Sequence, residues 1–137
     1  MITLIIFCVF LIISAAICKA VMDTVQFKYE DSIFSKMSQK KQNWFNPKIS
    51  WKNKYKNNDP KQGAKFFGST TFLVWTTDAW HFFQMIMLTS IQMVGAIPIA
   101  IIIGKYVLVT TIILTIIYKI IFGALFEFFW TLVFPKK

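Results

Sequence analysis

Two long apolar stretches leave this chain few folds to choose from. Residues 2–18, ITLIIFCVFLIISAAIC, carry no charge. From Phe66 to Phe134 the acidic and basic side chains are only Asp78, His81, Lys105, Lys119 and Glu127. Seventeen helical residues at about 1.5 Å each reach the lower edge of what spans a hydrocarbon layer of roughly 30 Å. Hydrophobic residues make up 56 % of the 137 and charged residues 15 %, whereas soluble domains are about a quarter charged. This composition argues against a water-soluble monomer, and the length against a large catalytic domain beside the spans. Two cysteines are too few for a disulfide scaffold.

The second stretch breaks best at Gly104-Lys105. The expected fold is an all-α membrane protein with three transmembrane helices. Its parts are a first span over 1–22, an amphipathic juxtamembrane helix over 23–39 and a basic aromatic loop over 40–65. An interfacial segment over 66–81, a second span over 82–104, and a third span with the basic C-terminus over 105–137 complete it. The first span is read as an uncleaved anchor. No basic residue precedes it as a signal peptide requires, and Ile17 is bulky for a lipoprotein-type cleavage before Cys18. The helix over 23–39 rests on Met22, Val25, Tyr29, Ile33 and Met37, which recur at helical spacing. Residues 66–80 hold Gly68, Ser69, Thr70, Thr71, Thr76, Thr77 and Asp78, too polar to face lipid. A four-span alternative would take 66–88 across the bilayer, with no polar turn after it.

All fifteen basic residues are Lys. Eight of them, against Asp59 alone, lie in residues 40–65 and give that block a net charge of +7. Lysine collects on the cytoplasmic side of membrane proteins. The block and Lys136-Lys137 are therefore expected inside and Lys105 outside, an N-out, C-in topology. Trp75 and Trp80 at the start of span two, with Phe128, Phe129 and Trp130 at the end of span three, fit the same inner interface. Lys119, about 9 Å from the inner end of its span, either snorkels or pairs with Asp78 or Glu127.

Residues 43–65 read as irregular, with turns at Asn46-Pro47 and Asn58-Asp59-Pro60. Here Trp44, Phe45, Trp51 and Tyr55 interleave with lysines. Lys48, Trp51, Lys52, Lys54, Tyr55 and Lys56 are the candidate contacts for a polyanion. They suit anionic lipid headgroups and, less well, single-stranded nucleic acid. A solvated positive-inside loop is the plain alternative. The absence of Arg removes bidentate base recognition.

Asp78 and His81, three apart, fall on one helix face and are the candidate catalytic pair or proton relay. The plain alternative is a helix N-terminus with an acid near the dipole. One His is too few for a zinc site, so no metal and no cofactor is expected. No GxSxG, HExxH, Walker or GxGxxG pattern occurs. Gly95, Ala96, Ala100 and Gly104 form a small-residue row for helix packing, with Pro98 inside it. Ala16, Ala20, Gly123 and Ala124 are candidates for the opposing flat faces.

The strings SWKNKYKNNDPKQGAKFFGSTTFLVWTTDAWHFFQ and VMDTVQFKY resemble a group of small uncharacterised membrane proteins of Bacteroidota and their phages. The resemblance covers about a third of the chain. It implies a bacterial inner membrane or the membrane of a lipid-containing phage, and it carries no activity. The expected function is a non-catalytic structural or accessory subunit. Its partners would be anionic lipids and other membrane subunits or further copies of itself. The alternatives are a membrane enzyme or proton-linked pore using Asp78 and His81, and a membrane-anchored module that binds anionic lipid or nucleic acid.

Overall fold

Three helices are long and apolar enough to cross a membrane, consistent with a multi-pass membrane protein. They are α1 (Ile2–Phe27), α4 (Ala79–Ile103) and α5 (Val107–Phe128), the last continued by a π-helical turn over Phe129–Val133. The structure is a computed structural model and describes residues 2–133. It is 80 % helical and, among the described residues, holds no strand. Mean hydropathy over the apolar windows is 2.8 in α1 and 2.2 in α4 and α5. Their large side chains stand exposed, Ile102 at 84 % and Leu108 at 71 %. Exposed apolar surface of this extent is consistent with a lipid surround. Lys136 and Lys137, and the side chain of Trp130, lie outside the described residues.

The chain forms two compact units, residues 13–88 and residues 1–12 with 89–137. In the second of these, α4 and α5 are joined by Gly104, Lys105 and Tyr106. Gly104 (φ +82°) and Tyr106 (φ +52°) are both left-handed, and the Gly104 N–H closes onto the Ala100 carbonyl at 3.1 Å. This is the glycine stop that the Gly104-Lys105 break anticipates. Pro98 does not end α4. Thr111 and Thr115 are buried on α5, their hydroxyls donating to the carbonyls of Val107 and Thr111 at 2.8 Å. Their polar groups are thus satisfied within the helix, as burial in hydrocarbon demands.

The unit of residues 13–88 holds the second half of α1, the start of α4 and a folded head between them. Along α1 the buried residues Ala15, Cys18, Met22 and Val25 make one stripe. The helix stops at Phe27, so the continuous helix expected over 23–39 does not form. Ser32 intervenes: its hydroxyl donates to the Tyr29 carbonyl at 2.6 Å and accepts from the Phe34 N–H at 3.2 Å. That capping diverts the backbone into a 3-10 turn over Ile33–Lys36. Met22, Val25 and Tyr29 are buried, whereas Ile33 is exposed.

The segment read as irregular is a set of short helical turns. α2 (Gln39–Phe45) and α3 (Pro47–Ser50) are followed by 3-10 turns over Trp51–Lys54, Lys56–Asn58 and Pro60–Gln62. Pro47 occupies the first turn of α3, and the Asn46 side chain accepts from the Lys48 N–H, the usual start signal. A helix of seven residues has no stability of its own, so tertiary contacts hold α2. Trp44 lies 5.5 Å from Phe82, and Phe45 lies 4.7 Å from Phe34 and 6.4 Å from Phe83. Two of the four aromatics that interleave with the lysines, Trp44 and Phe45, are therefore spent on internal packing. Residues 66–78 are turns with one 3-10 turn at Val74–Thr76, not the start of a span. Helix α4 begins at Ala79, three residues before the expected 82.

Candidate functional site

Asp78 caps α4, and the same carboxylate orients His81. Its Oδ1 accepts from the His81 N–H at 3.0 Å. The His81 ring Nδ1 lies 2.9 Å from Oδ1 and 2.7 Å from Oδ2. Thr77 Oγ1 adds a contact at 3.2 Å. The Asp78 side chain is 3 % exposed and that of His81 26 %. A carboxylate only accepts, so Nδ1 carries the proton that faces Asp78, and Nε2 is the ring nitrogen left for other partners. The helix N-terminus and the Asp–His pair are thus one arrangement. Asp78 and His81 line a cleft of about 190 Å³ with Gln26, Pro47, Ser50, Trp51 and Trp80.

The candidate polyanion contacts fall on a pinned backbone. The Lys54 carbonyl accepts from Ser69 Oγ at 2.8 Å and from the Lys65 N–H at 2.9 Å, and the Lys56 N–H donates to the Gly63 carbonyl at 3.1 Å. Trp51 and Tyr55 meet edge to face at 6.2 Å. The ammonium groups of Lys52 and Lys54 stand 5.6 Å from the rings of Trp51 and Tyr55 respectively, within cation–π reach. Lys56 is exposed. Lys48 is engaged elsewhere, with Glu30 at 2.7 Å. That hydrogen bond, and then the carboxylate charge, raise its ammonium above the ordinary Lys value. Burial, and then the Glu30 charge, raise the Tyr29 phenol above its own.

The small-residue row divides by role. Ala96 and Ala100 are fully buried, and a Cβ added at Gly95 would lie 3.8 Å from the Tyr118 ring. Gly104 serves the turn instead. Ala16, Ala20, Gly123 and Ala124 are exposed, and Ala15 takes the buried place on α1. The expected opposing faces are therefore not those four. Lys119 makes no ion pair among the described residues, and Glu127 accepts from Thr131 Oγ1 at 3.0 Å. The half-burial of Lys119 fits a snorkelling side chain. On α4 the Gln92 Oε1 is buried without a hydrogen-bond partner among the described residues. No three His, Cys, Asp or Glu side chains gather as a metal site among the described residues.

Sequence reasoning missed two residues of this region. Asn53 Nδ2 donates to the carbonyls of Asn43 at 2.8 Å and Thr77 at 3.1 Å, tying the head to the start of α4. Ser50 is 5 % exposed and lines the cleft. The Asn46-Pro47 start signal, run forward one turn, ends at Ser50 and was the only hint of it. No protein-family model, no curated protein and no solved structure matches the chain.

Proposed function

We propose that this chain is a small multi-pass membrane protein that acts as an accessory subunit, its lysine-rich head binding anionic lipid headgroups. The observation that carries this is the edge-to-face pair Trp51–Tyr55 with Lys52 and Lys54 at its rings and Lys56 beside it. Rings of this kind prefer the bilayer interface, and each Lys near an anionic surface contributes about 1 kcal/mol. The anchoring role needs no catalysis. Lysine distribution supports an N-out, C-in topology, with the head in the cytoplasm and the Lys105 turn outside. The resemblance of residues 44–84 to membrane proteins of Bacteroidota and their phages supports a bacterial inner membrane or a lipid-containing phage. Gly123 and Ala124, exposed on α5, offer a flat strip to another membrane subunit or a second copy.

The test is lipid retention by the full-length protein, purified from a mixed phosphatidylethanolamine and phosphatidylglycerol bilayer. The wild type should retain phosphatidylglycerol in preference. The triple variant Lys52→Gln, Lys54→Gln, Lys56→Gln should lose that preference by on the order of 100-fold, from about 3 kcal/mol. Equal retention by the two proteins contradicts the proposal. So does salt-sensitive oligonucleotide binding that outcompetes anionic vesicles, which would assign the head to nucleic acid.

A further inference from the structure

The cleft beside α4 contains more than a capped helix requires. Capping α4 needs only a short acceptor at position 78, a task Ser, Asn or Asp performs about equally. Nothing in that task calls for an imidazole held by both carboxylate oxygens at 2.7 and 2.9 Å. Nor does it call for a second polar group in the same cleft, yet Ser50 is there. Ser50 is 95 % buried, and its hydroxyl has no hydrogen-bond partner among the described residues. The oxygen is not fully enclosed, and Ser50 lines the cleft together with His81 and Asp78. A hydroxyl with no partner within the protein is available to a substrate or a reaction.

We propose that Ser50, His81 and Asp78 form an acyl-transfer centre, with the ester or thioester of an apolar acyl group as substrate. Ser50 is the nucleophile, His81 the general base and Asp78 the positioning residue, the division of labour seen wherever a serine is activated by an oriented imidazole. Asp78 holds the proton on Nδ1 and leaves Nε2 to take the one on Ser50 Oγ. Ser50 and His81 are not hydrogen-bonded to each other in this structure; such contacts commonly close only around substrate. The side chains of Pro47, Trp51 and Trp80 supply apolar walls suited to an acyl chain.

The chemistry balances without another reagent. Ser50 Oγ bonds to the acyl carbon as His81 Nε2 accepts the hydroxyl proton. The bond from that carbon to the leaving oxygen or sulfur then breaks, and His81 returns the proton to the departing alcohol or thiol. Water attacks the Ser50 ester, giving a proton to His81. The carboxylic acid leaves, and Ser50 recovers its proton.

The test treats the full-length protein in detergent micelles with an alkyl fluorophosphonate, followed by intact mass and peptide mapping. One adduct is expected, on Ser50, forming faster with a long-chain probe than a short-chain one. It should be absent from heat-denatured protein and from Ser50→Ala. Asp78→Asn keeps the cap but presents an amide to Nδ1. It should slow labelling at least 100-fold while leaving the unfolding temperature unchanged, which a purely structural Asp78 would not do. His81→Gln should slow labelling similarly. Ser50 labelled no faster than in denatured protein overturns the proposal, as does undiminished labelling of a folded Asp78→Asn or His81→Gln protein. Mapping of the wild type decides the matter even if a variant fails to fold.

Discussion

Glu30 touches two groups that titrate at alkaline pH. Its carboxylate bonds Lys48 at 2.7 Å, and its charge adds to burial in raising Tyr29. Both groups hold their protons more tightly in the folded protein than in the unfolded chain. Their stabilisation is complete below the unfolded-chain values, 10.0 for Tyr and 10.5 for Lys. It is lost as pH rises through the higher folded-state values. Thermal unfolding followed by tryptophan fluorescence should therefore show stability falling above about pH 10, with a shallower fall in Glu30→Gln. Identical slopes in the two proteins would dismiss Glu30 as the cause. Added salt should weaken the Lys48 contribution, since both partners are largely exposed. Neither Glu30–Lys48 nor Asn53 was legible in the sequence, because each joins segments whose approach depends on the folded head. Asp78 and His81 were legible because three residues is helical spacing.

Among the elements, α2 shows how packing overrides local pattern. Its lysines and aromatics read as a loop, and its seven residues form a helix only because Trp44 and Phe45 dock on Phe82 and Phe83. Trp44→Ala should cost about 2 kcal/mol, below the usual range for a fully buried Trp because this ring is half-covered. Hydrogen exchange should speed up across 39–50 and stay unchanged in α5. Fast exchange confined to residue 44 would show that α2 does not depend on this contact. The converse holds at residues 28–37, where the apolar stripe runs on to Met37, nearly three turns beyond the true end of α1 at Phe27. Periodicity marks which side chains can face a core, but Ser32 decides where the backbone turns. The glycine at 104 needs no such correction. Its left-handed φ ends α4 where the spacing of apolar residues and the neighbouring Lys105 place the turn.

At the level of the whole molecule, hydropathy alone identifies three helices able to cross a membrane, since length and composition are local quantities. What the spans carry is less visible from composition, because the head between α1 and α4 is built from contacts between distant residues. The central claim is that its lysines face the cytoplasm while the short α4–α5 turn faces the opposite side. Single cysteines at Lys61 and Lys105, each in a background with Cys8 and Cys18 replaced, permit a direct measurement with a membrane-impermeant maleimide on intact bacterial cells. The account predicts labelling of Lys105→Cys in intact cells and of Lys61→Cys only after the inner membrane is opened. Labelling of Lys61→Cys from outside, with Lys105→Cys protected, would contradict it.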